Sequence, residues 1–197
     1  MDSRLTDPED IRTYLMYLDT PLPEGWQRYT DLADKLGCRI HAVTGMNYGE
    51  IDIGTSPGDS WAYQGDLFIK KGEDPDCTVL HEVCHWMVAK QQGLQNEVNF
   101  GSSDLDDRID DEFITCDAQI AWILVHRTPQ IAWQVAQWLQ YDTSDDTIRS
   151  TIESGCQQWA SYGMPLEVSE DLLSALAREV KYDKTPNDIW GVPWNER

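Results

Sequence analysis

Between Cys77 and Ala89 the chain reads Cys-Thr-Val-Leu-His-Glu-Val-Cys-His-Trp-Met-Val-Ala. His81 and His85 stand four residues apart, with Glu82 directly after the first. Residues four apart share one face of an α-helix, so the two imidazoles can be presented to one cation. Glu82 falls about 100° further round the helix, beside the ion's water rather than among its ligands. Two neutral imidazoles suit zinc or iron(II), and a carboxylate at this position can take a proton from the water such an ion activates. Val79, Leu80, Val83, Cys84, Met87 and Val88 make the helix apolar round most of its circumference, which predicts that it is buried. A buried helix keeps two histidines and a glutamate only where something satisfies them.

Two histidines leave the coordination sphere open, and a third protein ligand is expected. No histidine follows at a short spacing, so a later carboxylate is predicted. Glu112 is the first choice, because it begins an apolar helix on the same side as Cys116 and Gln119. Asp117 is the second, since an acid inside the apolar stretch from Phe113 to Val125 needs a partner. Asp111 and Glu97 rank below them. Whichever acid is not a ligand can hydrogen-bond a ligand histidine. His41, His126, Tyr48 and Tyr63 are further candidates for contact with substrate or an oxyanion. Cys77 and Cys84, close to the two histidines in sequence, leave open a structural Cys/His zinc site in which Glu82 has no chemical role.

The elements that must position these groups are legible from caps and periodicity. Asp7-Pro8-Glu9-Asp10 predicts an N-cap, a first-turn proline and a helix of about ten residues with Ile11, Leu15 and Leu18 inward. Pro21 and Pro23 interrupt, and a second helix is expected from near Glu24 to Leu36, stopped by Gly37. Alternation in Arg39–Val43, Glu50–Ile53 and Asp66–Lys70, with Trp61–Tyr63 as a further segment, predicts short antiparallel strands between glycine-rich turns. Asp74-Pro75 caps and starts the histidine helix, which Gly93 ends near Gln92. An acidic run from Asp104 to Glu112 reads as a solvated loop and helix start. Further helices are expected from Phe113, from Thr128-Pro129 (Ile131, Val135, Trp138 and Leu139 inward), from Ser144-Asp145-Asp146 toward Trp159, and from Ser169-Glu170-Asp171 toward Val180. The tail from Lys181 reads as irregular. Together these predict an α+β fold, a small antiparallel sheet at about residues 39–70 packed on a mainly helical body that contains the histidine helix, in a single metal-binding domain over residues 1–197.

The bulk numbers bound the function. With 197 residues the chain can bury a sizeable core, and 41% hydrophobic residues with nine Trp fit a globular protein. Lys+Arg 15 against Asp+Glu 35 leaves a net charge of -20, which argues against a nucleic-acid or anionic-membrane surface. No apolar run reaches the roughly 18 residues of a spanning helix, and no secretory leader is visible. Five cysteines without a Cys-x-x-Cys pair, one of them inside the histidine helix, point to a reducing compartment, the cytoplasm.

Three strands followed by His81-Glu82-Val83-Cys84-His85 on a buried helix, with an acid on a later helix, resemble the zincin metallopeptidases whose third ligand is a glutamate. That resemblance implies zinc on His81 and His85, Glu82 as general base, and a peptide or protein substrate laid against an edge strand near Asp66–Lys70. A second set of residues is similar to the elongation factor P hydroxylase family: Trp86 directly after the second histidine, Val98-Asn99-Phe100-Gly101, then Ala118-Gln119-Ile120-Ala121-Trp122 and Tyr162-Gly163-Met164-Pro165 in compatible order. That family's Val-Glu-x-Lys-Pro-Gln stretch is absent here. Two histidines and a carboxylate serve a zinc hydrolase and equally a non-haem iron oxygenase. The expectation is therefore a metal-dependent enzyme with one divalent transition metal, zinc before iron(II). A peptidase-like hydrolase comes first, an iron hydroxylase second, and a non-enzymatic protein with a structural zinc site third.

Overall fold

The computed structural model describes residues 5–44, 60–101, 109–139 and 145–182. The expected strand at Glu50–Ile53, Tyr48, most of the acidic run and the tail beyond Tyr182 lie outside the described residues. The fold is α+β, with helices α1 (Pro8–Tyr17), α2 (Thr30–Leu36), α3 (Leu80–Gln92), α4 (Ile109–His126), α5 (Pro129–Trp138), α6 (Asp145–Ser161) and α7 (Glu170–Tyr182). Its strands are β1 (Asp19–Thr20), β2 (Arg39–Val43), β3 (Ser60–Tyr63) and β4 (Asp66–Lys70). The chain divides into two compact units, Met1–Cys116 and Asp117–Arg197. Among the described residues no helix is long and apolar enough to cross a membrane.

In the first unit the sheet runs β1-β2-β4-β3. It is mixed, not antiparallel as expected, because β2 and β4 pair in parallel, with Ile40 opposite Leu67 and Ala42 opposite Ile69. Local alternation identifies a strand but carries no record of its partner, so the direction of pairing was not legible in it. The same topology corrects the expected substrate edge: β4 is an inner strand, and β1 and β3 are the edges among the described residues. An inner strand covered on both faces accounts for the continuous burial of Asp66, Leu67, Phe68 and Ile69. The β3–β4 hairpin turns on Gln64 and Gly65, both with positive φ (50° and 86°), as a two-residue hairpin needs. Gly65 has a second reason to be glycine, since a Cβ there would stand 3.3 Å from the Trp86 ring.

Period-two alternation divides the sheet's side chains between two faces. On one face Val43, Trp61 and Phe68 pack with Ile11 and Leu15 of α1. Ser60 lies on the other face with Ala62, and its hydroxyl reaches Glu82 of α3. The start of α1 is as expected, with Asp7 accepting from Glu9 N and Asp10 N. The predicted second helix begins as a short 3-10 turn at Trp26–Tyr29 and becomes α2 only at Thr30. That turn pins the entry to α3: Trp26 Nε1 donates to Glu73 O at 3.1 Å, Arg28 pairs with Asp76 at 3.1 Å, and the Tyr29 hydroxyl bonds the same carboxylate. Asp74 caps the segment as predicted, and the first turn, Pro75–Val79, is wound as a π-helix before α3 proper. Val83, Trp86, Met87 and Val88 of α3 are buried. Burial is worth about 1.5–3 kcal/mol per large apolar side chain, far above the tenths that separate helix propensities, so packing holds this β-branched, histidine-bearing helix. At its far end Trp86 Nε1 and Lys90 Nζ both donate to the Leu36 carbonyl that ends α2, at 3.1 and 2.8 Å.

In the second unit Gly155 of α6 lies against α4, where a Cβ would come within 2.1 Å of the Asp117 carbonyl oxygen. Trp159 fixes the same contact by donating from Nε1 to Ala118 O at 2.8 Å. Thr128 caps α5 as predicted, but Trp138 points to solvent while Ala132, Trp133, Val135 and Ala136 are buried. The inward face of α5 is thus rotated from the expected one, toward the side that carries Ala132, Trp133 and Ala136 with Val135.

Candidate metal site

Two helices each contribute an i, i+4 pair to one place in the first unit. From α3 come His81 and His85, whose rings meet edge to face with centroids 4.5 Å apart and Nε2 atoms 3.0 Å apart. From α4 comes Glu112, whose Oε1 lies 3.2 Å from His81 Nε2 and whose Oε2 lies 3.0 Å from His85 Nε2. Cys116, one turn on, places Sγ 3.6 Å from Glu112 Oε1. Ligating atoms of His81, Glu112 and Cys116 all lie within 4.8 Å of one another, so these residues form a group that could hold a metal ion.

The donor set can be tested against an ion's demands. Nitrogen and oxygen ligands bound at about 2.1 Å to a tetrahedral ion stand about 3.3–3.4 Å apart. The observed 3.0–3.2 Å separations fall a few tenths of an ångström short of that edge. Small side-chain adjustments close the difference. Exposure is graded across the site: the side chains of His81, His85 and Glu112 are 12%, 24% and 52% exposed. The site is therefore most enclosed at His81 and most open to solvent at Glu112. Burial alone pushes the Glu112 carboxyl up, but hydrogen bonds from His81 and His85 and their charge outweigh it and hold the group ionised, well below the usual carboxylate range.

Neighbouring groups orient the histidines and the glutamate. Thr115 Oγ1 lies 3.3 Å from His85 Nδ1, the ring nitrogen that faces away from Glu112, and such an outer partner sets ring orientation. Phe100 stacks on His85 with centroids 6.2 Å apart and also touches the Trp86 ring. The Phe100 backbone is left-handed (φ 58°), as is that of Asn99 (φ 44°). Asn99 in turn accepts from Ala62 N at 2.9 Å, occupying a donor of strand β3. Glu82 accepts from Ser60 Oγ at 2.7 Å through Oε1.

The other predicted residues are distributed elsewhere. Asp117 is buried in the second unit, and five residues past Glu112 it projects about 140° away round α4. Asp111 accepts from the Gln92 side chain, and Glu97 is exposed. His41 bridges two acids, with Nδ1 2.8 Å from Asp19 and Nε2 3.0 Å from Asp66, and stacks on Phe68. Arg12 and Arg39 complete that network on Asp66 at 2.6 and 2.9 Å. His126 lies in the second unit, stacked on Trp122 at 3.8 Å. The Tyr63 hydroxyl accepts from Gln64. Cys84 is fully buried and its thiol is pushed up by that burial, and burial pushes the Cys77 thiol up to about 12. Neither belongs to the ligating group found among the described residues. Thr115 and Ser60 were not singled out from sequence. Cys116 had a signal in its i, i+4 spacing from Glu112, and Phe100 in the Val98-Asn99-Phe100-Gly101 stretch after the histidine helix.

The chain was compared with models of known protein families, with curated proteins and with solved structures, and it matches none of them.

Proposed function

We propose that this chain is a single-ion hydrolase of the zincin type, acting on peptide or protein substrates. The observation that carries the reading is the meeting of His81 Nε2, His85 Nε2 and the Glu112 carboxylate at 3.0–3.2 Å from two separate helices. Those three residues would hold the ion, zinc before iron(II). Bound there, zinc supplies a Lewis acid that polarises a carbonyl and makes water acidic enough to yield a nucleophile near neutral pH. Glu82 is the general base. Its Oε1 is held by the Ser60 hydroxyl, which fixes the carboxylate's orientation and leaves Oε2 to take the proton and return it to the leaving amine. Phe100 and Trp86 exclude water from the histidine side, and the half-exposed Glu112 side admits substrate. The cytoplasm suits the five free thiols.

One observation favours a second reading, a non-haem iron hydroxylase. Zincins lay substrate on an edge strand, but here the Ala62 N–H of β3 is already bonded to Asn99. An oxygenase acting on a side chain has no need of that edge. The deciding experiment loads the metal-free protein with zinc or iron(II) and offers casein-like peptides and a lysine-bearing translation factor, with and without oxygen. Peptide cleavage by the zinc form without oxygen is the expected result. A gain of one oxygen atom on the factor, seen only with iron and air, overturns it in favour of the hydroxylase.

A further inference from the structure

The geometry points to Cys116 as a further protein ligand beside His81 and Glu112, adding a thiolate that selects zinc; this rests on the site proposed above. Cys116 and Glu112 form an i, i+4 pair on α4, and their ligand atoms converge with that of His81 on α3, so three ligand types meet from two helices. On a tetrahedral ion with a sulfur bond of about 2.3 Å and oxygen or nitrogen bonds of about 2.1 Å, sulfur stands about 3.6 Å from each lighter ligand. Cys116 Sγ lies 3.6 Å from Glu112 Oε1. The same sulfur, a Glu112 oxygen and a His81 ring nitrogen all fall within 4.8 Å of one another, a spread that one ion can draw together.

The two ends of the α4 pair divide the work. Cys116 is buried, 4% exposed, while the Glu112 side chain reaches solvent. A thiolate arriving from the dry side has no water to compete with it. Ion entry displaces the thiol proton to solvent, as for any cysteine ligand. A thiolate also decides between metals: it favours zinc and disfavours iron(II) among oxygen and nitrogen ligands. The donor set thereby separates the two enzyme readings on chemistry independent of substrate.

The full chain is loaded with one equivalent of cobalt(II) and its absorption recorded, alongside zinc-edge X-ray absorption of the unmutated protein. The expected result is a thiolate-to-cobalt charge-transfer band in the near ultraviolet and one sulfur neighbour at about 2.3 Å from zinc. Cys116→Ser should lose the band, keep the visible cobalt bands given by the other ligands, and lower zinc affinity at least about 10-fold with little change for iron(II). Stoichiometric cobalt without the band, or only nitrogen and oxygen around zinc, overturns the role of Cys116 and leaves the three-ligand site standing. A band that persists in Cys116→Ser also overturns it, by assigning the sulfur to another cysteine. If neither cobalt nor zinc binds the unmutated chain, the site itself is wrong. Should the serine variant not fold, the X-ray measurement on the unmutated protein decides alone.

Discussion

Replacing Glu112 with Gln tests which acid completes the site, and its effect can be worked out beforehand. Zinc that binds only the folded chain stabilises it by RT ln(1 + [Zn]/Kd), about 2.7 kcal/mol at free zinc 100 times Kd. For a chain of 197 residues, 1 kcal/mol moves the midpoint of thermal unfolding by about 2–4 °C, so zinc should raise it by about 5–11 °C. Glu112→Gln keeps the side chain's shape but removes a charged ligand, which should weaken binding at least about 100-fold, the upper end of what outer partners alone contribute. At the same free zinc the gain then falls to about 0.4 kcal/mol, or about 1–2 °C. The substitution itself should change the metal-free protein little, because Glu112 is half exposed and its amide oxygen can still accept from the histidines. Calorimetry in zinc buffered by a competing chelator measures both midpoints, with Asp117→Asn as the comparison. Asp117 lies on another side of α4, so its variant should keep the full zinc shift. An undiminished shift in Glu112→Gln, with loss in Asp117→Asn, would falsify this assignment.

Glu82→Gln should retain one equivalent of zinc while peptide hydrolysis drops at least about 100-fold, and loss of zinc along with activity would make Glu82 a ligand instead. Asp66→Asn should cost about 3 kcal/mol in urea unfolding at neutral pH, because Asp66 is fully buried and balances Arg12, Arg39 and His41. Burial pushes the Asp66 carboxyl up, but hydrogen bonds from His41 and Arg12 and the charges of the two arginines bring it below the usual range. A carboxyl lowered on folding stabilises above its unfolded value, near pH 4, and loses that contribution as the pH falls further, so the gap between Asp66→Asn and the parent should close in acid. A gap unchanged down to pH 2 means the ion network is not its source. Gly155→Ala should destabilise by at least about 2 kcal/mol although alanine gains about 1 kcal/mol in helix propensity, since its methyl would meet the Asp117 carbonyl at 2.1 Å. Equal or higher stability by thermal unfolding would show that α4 and α6 separate more easily than their packing implies.

Much of this protein is written locally, and those parts were legible in the sequence. The caps at Asp7, Asp74 and Thr128 and the stops at Gly37 and Gly93 act within one helical turn, so their residues name the helix ends by themselves. The facing of His81 and His85 follows from the helix repeat alone, as does the common side of Glu112 and Cys116. The mixture of 3.6-residue and two-residue periodicity similarly announces an α+β chain. Tertiary structure decided everything that depends on what lies opposite. The parallel pairing of β2 with β4 makes β4 an inner strand and leaves β3 to present Ser60 to Glu82. Two segments far apart in sequence, α3 and α4, must fold together before a carboxylate meets the imidazoles, and no spacing within either helix encodes that meeting. Nor does spacing reveal that Asn99 and Phe100 adopt left-handed backbone, which brings one side chain to Ala62 and the other to His85. Side-chain direction within an element is a local property, whereas the identity of its partner is set by burial of the whole chain, and a metal site needs both.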